Sequence, residues 1–558
     1  MSSKYLFCFA AKGLQSYIMR GGKLRDMVGA TSLVDKLSDQ DSLEARLKET
    51  FGLTDRDFRI LMSAAGSGRI EFSNKETAKQ IERCWPLWVH AWAPGLDVVQ
   101  HLEPWSKADD YSRVAQRAMA ALERKRNFPA PLMPEAGPFV KRAPRTGEPA
   151  VYADKRELGP DDEFIDHASK RKRQERGLLK GELPPIATAF GFTDSEQLPD
   201  DFEEVSGGDG SYLAVIHADG NQLGKMFLEV GQALALLAPE NIPSDVSIEL
   251  IRFLSRDVVT QGTQAAVGTA MKKALPKEVL NRRPLLFAPI VLAGDDVTVV
   301  CRADLGLSFT EEFLKAFRTE MTSRLTDLRA KSWWSKVPDS VQRVIPDQLS
   351  AGAGLVYCTD HYPFSLAYGL CESLAKYAKA HAKDSAKSDG KQTPDSAVSF
   401  ARIVGASAPT EYDELKRSLW KGSDDTLLTG GPYFVEMQST PHLDSLKKVR
   451  EAALHLPGGA LRGILNLQRT KYSAVNVAVD RMKEIAGDIA ERNENWVSFE
   501  EAWKNLCNRR EKDSNWQDLR FCAPDHKQKR SPLLDVLTLL AVRDKNDDRA
   551  ILARGHQV

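Results

Sequence analysis

The sequence predicts an α+β chain with two ferredoxin-like palm units in tandem, the first degenerate, an irregular charged insert between them and a helical region after the second. Three observations lead there. The segment Ala293-Gly294-Asp295-Asp296 stands between apolar runs at 285–292 and 297–300, and reads as a hairpin with an acidic tip. A second apolar run at 211–217 ends in the turn Asp219-Gly220-Asn221. Around both, strand and helix periods alternate in one repeating order.

The first unit, 1–104, begins with a short strand at 5–10 and helical spacing over 15–37. A strand at 59–65 then passes through Gly66-Ser67-Gly68 into 69–72, a second hairpin whose tip carries no carboxylate. The insert, 105–205, has a helix at 112–126 among Pro-rich and charged stretches that include Asp161-Asp162-Glu163 and Lys170-Arg171-Lys172-Arg173. Such a basic run either touches phosphates or is a solvated helix face, the commoner case. The second unit, 206–408, has a strand at 212–217, helix to about 273, the acidic hairpin, a helix at 307–329, and a strand at 349–357 containing Gly352 and Gly354. A helix at 363–383 and a strand at 397–404 complete it. This order is that of a ferredoxin-like palm with an added helix. The remainder, 409–558, carries helical spacing at 443–456, 459–468 and 472–493, and Ser498-Phe499-Glu500-Glu501 reads as a capping box opening the next helix.

The topology brings Asp219, Asp295 and Asp296 to the same end of adjacent strands. Gly and Asp are also ordinary turn residues, so each motif alone fits a structural role. Together they form a set that cannot be buried without a counter-charge, because like-charged carboxylates raise one another's pKa and a divalent metal is the usual remedy. Gly220 and Gly294 are small where backbone must approach metal or phosphate. Lys379 and Lys383, four apart on one helical face, either reach phosphates or line an exposed amphipathic helix, and Lys225 has the same two readings.

At Asp219-Gly220-Asn221, Ala293-Gly294-Asp295-Asp296, Ser350-Ala351-Gly352, His361-Tyr362-Pro363 and the lysines Lys376, Lys379 and Lys383, the chain resembles the large polymerase-cyclase (palm/GGDD) subunit of type III CRISPR effectors. That family is related to GGDEF diguanylate cyclases and adenylyl cyclases. The stretch from Gly13 to Leu37 is similar to its N-terminal palm, while Gly431-Pro432-Tyr433-Phe434 and Ser531-Pro532-Leu533-Leu534-Asp535 resemble its helical tail. The resemblance implies a catalytic second palm and a degenerate first one. It leaves two roles for the first palm: binding a second nucleotide, or buttressing its neighbour. It implies that Asp219, Asp295, Asp296 and the carbonyl of Gly220 hold Mg²⁺ or Mn²⁺. Gly220, Asn221, Gly294, Lys225, Lys379 and Lys383 would contact nucleotide, with ATP as substrate and a cyclic or short linear oligoadenylate messenger of antiviral defence as product. Its partners would be guide and target RNA and small effector subunits meeting the C-terminal helices, or further copies of this chain if it stands free. A non-catalytic ATP-binding subunit is the alternative.

Departures from the family also carry expectations. None of the ten histidines precedes an aspartate, and few residues precede Tyr5, so an HD-type nuclease is not expected. The zone 145–170 looks like a zinc ribbon stripped of its cysteines, so no zinc is expected. Ala293 stands where the family usually has glycine, which would impair activity if the position needs φ > 0. Seven scattered cysteines without a C-x-x-C pair argue against a disulfide framework. Lysine plus arginine equals aspartate plus glutamate at 77 each, which disfavours holding nucleic acid by bulk charge. No apolar stretch suggests export or membrane insertion, so the cytoplasm is the expected location.

Overall fold

In this computed structural model the described residues are 4–106, 109–128, 137–154, 163–178, 183–208, 211–237, 242–405, 409–436, 439–487, 490–507, 519, 521–522 and 529–543. Strand β1 (Lys4–Lys12) leads through α1 (Leu14–Met19), α2 (Leu24–Ser38) and α3 (Gln40–Phe51) to the hairpin of β2 (Phe58–Ala64) and β3 (Ser67–Phe72). Helix α4 (Lys75–Trp92) then returns the chain to β4 (Asp97–Trp105). The sheet order is β2-β3-β1-β4 with all neighbours antiparallel, the ferredoxin-like arrangement. The central strand β1 is apolar on both faces because both are covered. Phe7 and Phe9 pack on Trp85 of α4, the latter at 4.6 Å between ring centroids. Leu6 and Cys8 meet Val114, Ala118 and Leu122 of α5 (Tyr111–Arg126).

The insert contributes a two-stranded ribbon, β5 (Tyr152–Asp154) with β6 (Glu163–Ile165), and α6 (His167–Leu178). The basic run on α6 is not a solvated face. Arg173 pairs with Asp26 at 2.8 Å and with Glu163 at 2.9 Å. Arg171 donates to the Trp92 carbonyl at 3.0 Å, and the buried Lys172 donates to the Tyr17 carbonyl. Burial pushes the Lys172 ammonium down to about 8. Helices α2 and α6 touch backbone to backbone at Gly29, where a Cβ would lie 2.0 Å from the Lys172 carbonyl oxygen. The run therefore clamps the insert onto the first palm. Asp161 and Asp162 lie outside the described residues.

After the short helices α7 (Pro185–Ala189) and α8 (Phe202–Ser206), the second palm begins with β7 (Tyr212–Gly220). Helices α9 (Leu223–Ala235) and α10 (Ser244–Arg252), a π-helical segment (Phe253–Thr260), α11 (Gln261–Ala274) and α12 (Lys277–Leu280) precede the hairpin of β8 (Phe287–Ala293) and β9 (Asp296–Arg302). Then come α13 (Ala303–Arg329), α14 (Asp339–Gln342), β10 (Ala351–Thr359), α15 (Phe364–Ser388), β11 (Ala397–Arg402), α16 (Tyr412–Ser418) and β12 (Tyr433–Phe434). The sheet order is β12-β11-β10-β7-β9-β8. Its last four strands repeat the topology of the first sheet, and β11 extends it in parallel with β10.

Glycines decide how closely helices cover this sheet. A Cβ on Gly306 of α13 would lie 2.5 Å from that of Ala214, and one on Gly354 of β10 would lie 1.9 Å from the Cys371 carbonyl oxygen of α15. Helix α2 of the first palm packs against β8, where the Thr31 hydroxyl donates to the Ile290 carbonyl. Their side chains share one apolar cluster that joins the two palms.

The C-terminal region comprises α17 (Leu443–Ala453), α18 (Gly458–Thr470), α19 (Val475–Gly487), α20 (Ala490–Leu506), a small ribbon of β13 (Phe521–Cys522) with β14 (Lys529–Arg530), and α21 (Leu533–Ala541). The capping box expected at Ser498 does not open a helix. Helix α20 already runs from Ala490, because buried Trp496, Phe499, Trp503 and Leu506 continue one apolar stripe through that point. The two tail motifs meet. The buried Asp535 carboxylate accepts from Thr429 Oγ1 at 3.0 Å, the Gly430 amide at 2.8 Å and the Tyr433 hydroxyl at 2.5 Å. Among the described residues no helix is long and apolar enough to cross a membrane.

The contact at Gly354 makes a direct prediction. Gly354→Ala should lower stability by about 3 kcal/mol, since a backbone carbonyl cannot yield as a side chain can. Denaturant unfolding of the two proteins checks this, and matching midpoints would contradict the packing.

Candidate active site

The hairpin β8–β9 turns through Gly294 and Asp295 alone, with Ala293 and Asp296 as the last paired residues. Gly294 has φ +66°, whereas Ala293 keeps a negative φ. The left-handed requirement thus falls on the glycine, and the alanine in the preceding place is unstrained. The first palm's hairpin turns at Ala65 (φ +48°) and Gly66 (φ +72°). The two tips abut, since a Cβ on Gly294 would lie 3.9 Å from that of Ala65.

Strand β7 delivers Asp219 beside this tip. Asp295 reaches across the tip, its Oδ2 accepting from the Gly220 amide at 3.2 Å. Asp219 lies close enough for the two carboxylates to repel one another. Burial first, and then the neighbouring Asp219 charge, hold the Asp295 carboxyl well above the usual carboxylate range. Gly220 is required for space here. A Cβ would stand 2.8 Å from Asp295 Oδ2 and 2.2 Å from Leu223 Cδ1.

Lys379 of α15 supplies the counter-charge, its ammonium donating to Asp219 Oδ2. Gly352 makes this possible. It lies directly opposite Asp219 in the β10–β7 register, and a Cβ there would lie 2.4 Å from Lys379 Cγ. The turn after Asp219 is fixed from β10's entry: Asn221 donates through its amide to the Ser350 carbonyl and through Nδ2 to Ser350 Oγ, each at 2.8 Å. Asn221 is therefore a buried strut. Gln222 follows at φ +61° and opens α9.

The remaining lysines stand apart from the acids. Lys225 is exposed and pairs with Glu229 at 3.4 Å, and Lys383 is exposed one turn beyond Lys379. The motif His361-Tyr362-Pro363 follows the far end of β10 from the acid pair. Asp296, Gln15, His217 and Thr298 form a separate group beside the acid pair. Of these, His217 carried a sequence signal, since it precedes Asp219 by two on a strand and so shares its face.

A cavity of about 620 Å³ opens where the palms meet, with Gly294 and Asp295 in its wall. The first palm contributes Met62, Ala65 and Arg69, α5 contributes Met119, and α9 contributes Phe227 and Leu228. The first palm thus lines this cavity as well as backing its neighbour. A smaller cavity of about 260 Å³ shares Ala65 and Gly294 and is lined by Asp35, Asp39 and Asp41.

Among the described residues no group of three or more His, Cys, Asp or Glu is arranged to hold a metal ion. The pair Asp219 and Asp295 nevertheless suits Mg²⁺ or Mn²⁺. Mg²⁺ commonly takes one or two carboxylates and completes its shell with water and phosphate oxygens, and the repulsion within this pair is what a cation relieves.

Fold and site together define a tandem-palm protein whose acid pair is on the second palm. Solved structures similar to this chain include Csm1 of T. onnurineus, at 16% identity and TM-score 0.46 over 97% of this chain and 70% of that one. They also include a Csm1–Csm4 cassette in complex with pppApApA, at 15% and 0.46 over 97% and 69%. A Csm1–Csm4 subcomplex of the type III-A CRISPR-Csm interference complex is similar at 14% and 0.43 over 97% and 70%. No family model and no curated protein matches the sequence.

The acid pair sets a pH dependence. A carboxyl harder to ionise in the fold than in the unfolded chain is protonated preferentially in the fold, so stability falls as pH rises from the unfolded toward the folded pKa. Without divalent ions, Asp295→Asn should melt above wild type at mildly alkaline pH. Mg²⁺ should raise the melting temperature of wild type and leave the variant unmoved. Identical melting of both proteins in both conditions would contradict the like-charge pairing.

Proposed function

We propose that the chain is a metal-dependent nucleotidyl transferase that joins ATP into short linear or cyclic oligoadenylates. The observation that carries this reading is the meeting of the Asp219 and Asp295 carboxylates beside the cavity between the palms. Asp219, Asp295 and the Gly220 carbonyl would hold Mg²⁺ or Mn²⁺. The bound ion would polarise the attacking 3′-hydroxyl and the donor α-phosphate and offset charge on the leaving pyrophosphate.

The chain's own groups have distinct tasks. The apolar cavity walls receive base and ribose and exclude water, and the cavity has the size common among ligand sites. Lys379, once a cation neutralises Asp219, is free to turn to phosphate oxygens. Lys383 and Lys225, both exposed, extend the same positive field. The Asn221–Ser350 pair holds Asp219 at a fixed distance from the hairpin. Adenine as the base, a role in antiviral defence, and assembly with RNA and small effector subunits through the C-terminal helices rest on the sequence resemblance.

One observation favours the second reading, an ATP-binding subunit without turnover. Lys379 already satisfies Asp219, so a cation must compete with it.

Incubation of the purified protein with ATP and Mg²⁺ or Mn²⁺, with products resolved by mass spectrometry, separates the two. Phosphodiester-linked adenylates should form, and Asp219→Ala and Asp295→Ala should each lower their rate on the order of a hundredfold or more. Tight ATP binding without product, with guide RNA and target RNA supplied, would favour the subunit reading. Equal product from both variants would overturn the assignment of the acids.

A further inference from the structure

The second acid of the hairpin, Asp296, has partners different from those of Asp219 and Asp295. Asp296 is the first residue of β9 and shares a sheet face with Thr298 and His217. Its Oδ2 accepts from Gln15 Nε2 at 3.2 Å, and Gln15 belongs to α1 of the first palm. Its buried Oδ1 lies 3.3 Å from His217 Nδ1, which is also 3.1 Å from Thr298 Oγ1. The Tyr368 ring of α15 stands edge-on to His217, 5.5 Å away. Asp295, by contrast, points to Gly220 and Asp219.

Helix α1 touches both hairpin tips. Leu14 packs on the first, since a Cβ at Gly66 would lie 3.2 Å from Leu14 Cδ1, and its neighbour Gln15 holds Asp296 on the second. Gly13, left-handed at φ +63°, starts this helix directly after β1, so α1 is tied to the central strand of the first palm.

We infer that Asp296 does not ligate the metal and instead anchors the hairpin bearing Asp295 to the first palm, with Gln15 as the positioning residue across the boundary. This rests on the metal-dependent reading above for what the anchor serves, though not for the anchor itself. With the anchor intact, Asp295 and the cavity wall from the first palm move as one body. Without it, the acid pair can still take a cation, but the nucleotide held by the cavity is no longer registered on that cation.

Asparagine at 296 keeps an oxygen that accepts from Gln15 and removes the charge, whereas alanine removes both, so this pair of variants separates anchor from ligand. Mn²⁺ affinity is read by electron paramagnetic resonance on the full-length protein, alongside turnover and KM for ATP. Asp295→Asn should weaken Mn²⁺ by more than tenfold, since losing a ligand costs at least what losing one of its outer-shell partners does, about 10–100-fold. Asp296→Asn, Asp296→Ala and Gln15→Ala should keep Mn²⁺ affinity within about threefold of wild type, below the loss typical of a disturbed metal site. Gln15→Ala and Asp296→Ala should lower turnover about tenfold with little change in KM. Asp296→Asn should recover much of what Asp296→Ala loses, and the Gln15→Ala/Asp296→Ala double variant should be no worse than either single one. A loss of Mn²⁺ affinity in Asp296→Asn equal to that in Asp295→Asn would make Asp296 a ligand and overturn the inference. Amide exchange across residues 287–302, measured without metal, tests the anchor separately. It should quicken in Gln15→Ala, and unchanged exchange would overturn the anchor even if wild type bound no Mn²⁺, an outcome that would itself sink the metal-dependent reading.

Discussion

Two carboxylates that cannot both be charged in isolation govern the second palm. Asp219 lies near the end of β7, Asp295 lies in the turn between β8 and β9, and the two are brought together by a glycine whose missing Cβ leaves room for one of them. Like charges this close repel, and each raises the pKa of the other unless a counter-charge stands beside them. Here they are held by features of the fold: the antiparallel order β10-β7-β9-β8, the tight turn at Gly294, and the approach of α15 over Gly352 and Gly354 that brings Lys379 to Asp219. The lysine serves as the counter-charge.

The same turn is tied to more distant parts of the chain. Ser350 holds Asn221 and itself donates through Oγ to the Pro394 carbonyl at 2.6 Å. The next residue, Asp395, accepts from Arg318 of α13 at 3.0 Å, Lys391 at 2.6 Å and Ser439 at 2.6 Å. Arg318 also binds Glu436, on the segment between β12 and α17. A continuous set of polar contacts therefore joins the Asp219 turn to the start of the C-terminal helices, and Asp535 locks α21 to the strap before β12. Such a network holds the acid at one distance and joins the palm to the rest of the chain.

Local chemistry made the fold and the acid pair legible. Period-two runs flanking Gly-Asp and Asp-Gly turns depend on neighbouring residues only, and both palms follow from them. Ala293 is unstrained for an equally local reason, since in this turn the left-handed conformation falls on Gly294. What failed depended on distant partners. The basic run at Lys170 to Arg173 looked solvated because Asp26 and the Tyr17 carbonyl, which bury it, lie more than a hundred residues away. The capping box at Ser498 was a correct local motif outweighed by an apolar stripe that keeps α20 helical. Gln15 carried no local signal, because its meaning comes only from the packing of α1 against both hairpin tips.

The most direct test of the central claim is a crystal structure of the protein with Mn²⁺ and a non-hydrolysable ATP analogue, with the metal located by anomalous scattering. The account predicts a metal peak between the Asp219 and Asp295 carboxylates, Lys379 turned from Asp219 toward phosphate, and the base in the cavity between the palms. A nucleotide bound elsewhere, or bound there with Lys379 still on Asp219 and no metal peak between the two acids, would contradict it.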